Sequence, residues 1–171
     1  MQHRVFLSTL AVSLVSLLGL LQGSADAAST RQSFATGLLS ALNTARAEHG
    51  LTPLVASPKL RQAANQHSRE MLAAGYFGHE SADGSPFWQR IQTYYPNFQS
   101  VGENLFWASS PITVEEAVAA WMASPEHRAN ILDPMWKQIG IGSVSSPGPM
   151  GAFGGDPVTV ITTDFGTPKS R

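Results

Sequence analysis

The chain has no cysteine in 171 residues. That excludes a disulfide framework, a thiol nucleophile and every cysteine-based metal site. Charge is also sparse: 11 Lys and Arg stand against 12 Asp and Glu, with no run of one sign. Neither nucleic acid nor an anionic membrane is therefore expected as a main partner. There is no Gly-x-Ser-x-Gly elbow and no phosphate loop. The glycines from 148 to 155 lack the lysine and helix that such a loop needs. Five histidines without cysteine leave imidazole and carboxylate as the available ligand set. Stability must come from packed aliphatic and aromatic side chains.

What is present begins with a leader. His3 and Arg4 precede an apolar run from Val5 to Leu21, closed by Ala25-Asp26-Ala27. Charge, apolar core and A-x-A site in that order predict a secretory signal peptide over 1–27. The mature chain would then begin near Ala28 and be secreted, extracellular or periplasmic, with no stable membrane anchor. A retained anchor is the competing reading, because the apolar run is nearly long enough to span a bilayer.

The remainder has the size of one domain, expected over 33–167. Phe34, Leu38, Leu39, Leu42 and Ala45 recur at helical spacing and predict a helix over 33–49, stopped by Gly50. Ser57-Pro58 starts a second helix that Gly75 ends. Thr113-x-x-Glu116 is a capping box for a third, and Ser124-Pro125 opens a short one through Leu132. The periodicity then changes. Residues 138–144 and 158–165 are rich in Ile, Val and Thr and predict strands, with another near 99–106. Residues 145–157, rich in Gly and Pro, predict a long hairpin loop. Helices followed by strands indicate an α+β domain.

Three residues carry the candidate chemistry. His79 follows a helix stop, where a loop can present it into a cleft; a surface loop histidine is the plain alternative. Glu103 stands among Val101, Leu105, Phe106 and Trp107, and burying a carboxylate there requires a partner. A turn-exposed glutamate is the alternative. His127 falls in the first turn of the short helix, whose N-terminus disfavours the protonated ring; local capping is the alternative. His67 lies on an apolar stripe and reads as a satisfied core histidine. Trp88, Tyr94, Tyr95, Phe98 and Trp107 could line an apolar groove or belong to the core.

Taken in order, several segments resemble the bacterial CAP domains, the superfamily of cysteine-rich secretory proteins, antigen five and plant pathogenesis-related proteins. They are Asn43-x-x-Arg46, Tyr76-Phe77-Gly78-His79, Val101-Gly102-Glu103-Asn104, Ala120 to Leu132, and Ile139-Gly140-Ile141-Gly142. The resemblance covers nearly the whole expected mature chain. It implies a three-layer α-β-α sandwich with a central, mainly antiparallel sheet and an open cleft. Cleft histidines and glutamates in that family can hold zinc or another divalent cation, roles that fall here on His79, Glu103 and His127. Two familiar cleft groups are missing: the late strand reads Val160-Ile161-Thr162-Thr163, and Ser124 stands where a glutamate is usual. The resemblance further implies a monomeric binding module for a lipid or sterol, a peptide or a protein. The alternative is a metal-assisted, peptidase-like hydrolase with Glu103 as third ligand or general base.

Overall fold

The computed structural model describes residues 11–170. The basic start of the expected leader and the first six residues of its apolar run lie outside the described residues. The chain divides after Ser33, and the domain is the unit from Phe34 onward. Helix α1 spans Ala11–Glu48, starting far upstream of the predicted residue 33, and contributes its part from Phe34 to this domain. Among the described residues no helix is long and apolar enough to cross a membrane.

Strand β1 (Val55–Ala56) leads into α2 (Pro58–Ala74), followed by α3 (Phe87–Tyr94) and β2 (Phe98–Ser109). Helices α4 (Val114–Ala123) and α5 (Pro125–Ile131) precede β3 (Gln138–Ser146) and β4 (Val158–Pro168). Local chemistry sets these ends. Ser57 accepts from the Leu60 amide and Gly75 closes α2 in the left-handed conformation, φ 70°. Both halves of the Thr113–Glu116 capping box are formed. The loop between β3 and β4 holds a 3-10 turn, Gly151–Phe153, which buries Phe153.

The sheet order is β1-β3-β4-β2. β3–β4 and β4–β2 are antiparallel, whereas the two-residue β1 runs parallel to β3. Directly paired residues share a face, so register sorts the side chains into two layers. One face presents Ile139, Ile141, Ile161 and Phe165 to a core with Leu38 and Leu42 of α1, Trp121 of α4 and Ile131 of α5. The other carries the rows Gly140–Asp164–Glu103 and Gly142–Thr162–Leu105 beneath α2 and α3. The result is the three-layer α-β-α sandwich. A Cβ on Gly140 would lie 2.0 Å from the Leu60 carbonyl carbon, and one on Gly142 would lie 2.5 Å from that of Ala64. The alternation Ile139-Gly140-Ile141-Gly142 therefore buries isoleucine on one side and lets α2 rest on bare backbone on the other.

Candidate functional site

β2 is an edge strand, and its Gly102-Glu103-Asn104 segment sends each residue to a different task. A Cβ on Gly102 would sit 2.8 Å from the Trp136 ring and 3.0 Å from the Asn130 Oδ1, so only glycine fits. Asn104 points to the α5 side, where its Nδ2 donates to the His127 carbonyl at 3.1 Å. Asn130 answers from α5, donating to the Glu103 carbonyl at 3.1 Å and to Asn104 Oδ1 at 2.9 Å. The free edge of β2 is thereby sealed by side chains; Trp121 Nε1 donates to the Leu105 carbonyl at 3.0 Å in the same way. Arg46, wholly buried, holds the far end of α5 by donating to the Ile131 carbonyl at 2.6 Å. These bonds fix His127 relative to Glu103.

The opposite wall is the loop after α2. His67 is fully buried and donates from Nε2 to the Gly78 carbonyl at 2.8 Å. It is the satisfied core histidine its apolar stripe suggested. Arg90 of α3 donates to the His79 carbonyl at 3.2 Å and to Ser81 Oγ at 3.1 Å. Its other nitrogen pairs with Glu103 Oε2. Glu103 Oε1 accepts from His79 Nδ1 at 2.8 Å. The Glu103 side chain is 1% exposed and the His79 side chain 49%, so a buried carboxylate orients a ring that reaches solvent. Hydrogen bonding to Glu103, reinforced by its charge, raises the proton affinity of His79 against the opposing effect of burial.

His127 is held in a parallel manner. Its Nδ1 meets Ser124 Oγ at 2.8 Å, and Ser124 makes no cap bond to the helix backbone. Burial, followed by the nearby charge of His79, holds this ring below the usual histidine range, opposed by Glu126. The two histidines are thus close enough to interact, each gripped at Nδ1, with proton affinities pushed in opposite directions. Ser124→Ala should release the His127 ring while changing stability by less than about 1 kcal/mol. Ring 15N spectra report this as loss of a single His127 tautomer; an unchanged spectrum contradicts the positioning role.

The structure joins His79 and Glu103 directly and brings His127 near His79. Glu103, however, has both oxygens engaged, and among the described residues no group of three or more His, Asp or Glu is arranged to hold a metal ion. The free donors are one ring nitrogen on each histidine. Two participants had escaped the sequence reading. Arg90 is buried beside Ile91 in a short amphipathic helix and gave no local signal. Asp164 did carry one, an acid within a β-branched strand, which is the argument applied to Glu103. It is wholly buried and pairs across the sheet with Glu103. Burial first, then the charge of Glu103, push its carboxyl well above the ordinary range, against Arg90. No donor reaches either Asp164 oxygen, which favours the protonated form of this carboxyl beside Glu103.

The aromatics divide. Tyr95 is buried and stacks with Phe98 at 6.5 Å, both packed beneath α2 and α3. Trp107 packs edge-on against Phe153 at 5.4 Å and against Phe77 at 6.5 Å. Phe77 and Trp88 stay 38% and 42% exposed, and Phe87 contacts the His79 ring at 6.3 Å. An apolar rim therefore adjoins the His79 wall. Two surface hollows of roughly 380 and 400 Å³ lie elsewhere, lined by none of His79, Glu103 and His127.

Comparison with known proteins agrees with this architecture. The family model of the cysteine-rich secretory protein (CAP) family matches residues 39–160. YkwD of Bacillus subtilis is 39% identical over 105 residues, which is 61% of this chain but 40% of YkwD. An outer surface protein of Borrelia burgdorferi superposes with a TM-score of 0.67 at 23% identity, covering 78% of this chain and 92% of that one. An extracellular SCP-domain protein of Bacillus anthracis superposes with a TM-score of 0.65 at 23% identity, covering 80% of this chain and 41% of its own. At these identities the structural likenesses speak for the fold alone. On the family match and the fold together, the chain belongs to the CAP family.

Proposed function

We propose that this is a secreted ligand-binding module, acting outside the cell or in the periplasm, whose cleft takes a small ligand with an apolar body and an anionic head. The observation that carries it is the fixed pair of imidazoles. His79, raised in proton affinity by Glu103, is the donor; His127, lowered in proton affinity, is the acceptor. Phe77, Phe87 and Trp107 supply apolar surface beside them. A fatty acid has this chemistry, its carboxylate meeting the His79 N–H. Peptides with an apolar side chain and a free carboxylate share it.

A zinc or other divalent ion on His79, Glu103 and His127 does not fit the donor set. Glu103 is committed to His79 and Arg90, which leaves two donors where a zinc site with an open position uses about three protein ligands. The same bonds to His79 and Arg90 weigh against Glu103 as a general base, which favours the binding reading over the hydrolase one. Calorimetry with palmitate and with zinc chloride tests both points. Saturable palmitate binding, weakened about tenfold or more in His79→Ala, is expected, with zinc binding weak. No palmitate binding, or tight one-to-one zinc binding abolished by Glu103→Gln, contradicts the reading.

A further inference from the structure

The segment that carries His79 is tied to the domain by side chains. Residues 78–82 lie between α2 and α3, and among the described residues no main-chain hydrogen bond joins them to a helix or strand. Three side chains grip the segment instead. His67 Nε2 donates to the Gly78 carbonyl at 2.8 Å, and Arg90 donates to the His79 carbonyl and to Ser81 Oγ. Glu70 Oε1 accepts from the Ala82 amide at 3.1 Å. His67 and Glu70 stand three residues apart on one face of α2, so a single turn of helix holds both ends of the segment. Their own contact is imperfect. A neutral ring that donates from Nε2 has only a lone pair at Nδ1. That nitrogen faces Glu70 Oε2 at 3.4 Å, longer than a full hydrogen bond. A proton on Nδ1 would complete the contact, but the His67 side chain is 0% exposed, and a dry imidazolium is costly.

We propose that residues 78–82 are a gate on the cleft that opens when His67 takes a proton. A role in regulating that cleft rests on the ligand-binding reading above. The groups around the ring set the direction. Glu103 of β2 favours a positive ring, yet both its oxygens are engaged by His79 and Arg90, and Asp164 of β4 lies behind it with no donor. Arg90 of α3 opposes a second positive charge. Glu70 of α2 is 25% exposed and shares its charge with the Ala82 amide. Tyr76, with its ring 6.2 Å away, brings no charge, because burial pushes its phenol well above the ordinary value. Burial outweighs the rest: it holds His67 below the usual histidine range, against Glu103 and with Arg90. Once hydrated, the same ring takes a proton readily, so acid favours whichever state wets it. Of the groups bonded to the ring, the Gly78 segment is the one with no helix or strand to hold it, so it is the part that lifts. His79 travels with it, away from the head of the ligand.

Hydrogen exchange at the Ser81 and Ala82 amides of the full chain, corrected for the intrinsic rate at each pH, tests this without any ligand. Both amides are bonded in the closed segment, to the Ser85 carbonyl and to Glu70. Opening should increase about tenfold per pH unit below the ordinary histidine value of about 6.5, the slope of one proton. Amides of the central strand β4 should keep their protection over that range. His67→Gln retains a donor for Gly78 without a titrating ring, and should abolish the pH dependence. Glu70→Gln retains an acceptor for Ala82 and turns a donor toward His67 Nδ1, so opening should move to lower pH. Should His67→Gln fail to fold, Glu70→Gln decides. Equal protection across the range in the parent, an unchanged pH dependence in either variant, or simultaneous loss of protection in β4 would overturn the gate. So would palmitate leaving the parent in acid no faster than it leaves His67→Gln. If the exchange behaves as expected and palmitate does not bind at all, the gate stands and the ligand of the cleft is misassigned.

Discussion

Arg90→Ala should destabilise the domain by about 3–5 kcal/mol, measured by urea denaturation, because it strands a buried carboxylate. The Arg90 and Glu103 side chains are 2% and 1% exposed, so water does not replace the lost partner. The acid behind Glu103 makes matters worse. Asp164 lies fully buried in the facing register position, its carboxyl pushed well above the ordinary range by burial and by the charge of Glu103, and Arg90 is the cation that opposes this shift. The same residue pins the His79 loop through the His79 carbonyl and Ser81, and the loop should loosen with it. Glu103→Gln removes the buried negative charge while keeping the shape, and should be milder than Arg90→Ala. Equal stability of Arg90→Ala and the parent would mean that the guanidinium contributes nothing to this cluster.

Gly140→Ala should be comparably severe, at about 3 kcal/mol or more, although it adds a single methyl group. The new carbon would meet the backbone of Leu60 and Arg61 at 2.0 and 2.1 Å. Backbone in the first turn of α2 cannot swing aside as a long side chain can, so the helix would have to lift from the sheet. Gly84→Ala is the informative comparison: no atom lies within 4 Å of its Cβ, and the strain there is conformational, from a φ of 80°. If Gly140→Ala melts no lower than Gly84→Ala, α2 does not rest on β3 as described.

Elements with local signals were legible in the sequence. The cap at Ser57, the stop at Gly75 and the Thr113–Glu116 box each depend on residues within one turn, and each formed. The strands were read from their β-branched composition, with β2 running three residues past the predicted residue 106. β1 was missed because two residues carry no period, and its pairing depends on β3, far along the chain. The site divides along the same line. His79, Glu103 and His127 were visible as isolated chemistry in an apolar or loop setting. That Glu103 serves as an orienting group follows from Arg90, which meets it only in three dimensions. The glycine of Gly102-Glu103-Asn104 likewise has its reason in Trp136, on a distant segment.

Two imidazoles, each held at Nδ1, lie close enough to interact and have proton affinities pushed in opposite directions. Glu103 makes folding favour protonated His79, so that contribution is complete below the ordinary histidine value of about 6.5 and is lost as pH rises through the raised folded value. His127 behaves oppositely, weakening the fold as pH falls below its ordinary value. Titrating the ring signals of the intact protein by NMR, assigned with His79→Ala and His127→Ala, reads both at once. His79 should titrate above the ordinary value and His127 below it, and loss of the His79 ring should bring His127 upward. Coincident titrations at the ordinary value, or a His127 indifferent to the loss of His79, would contradict it.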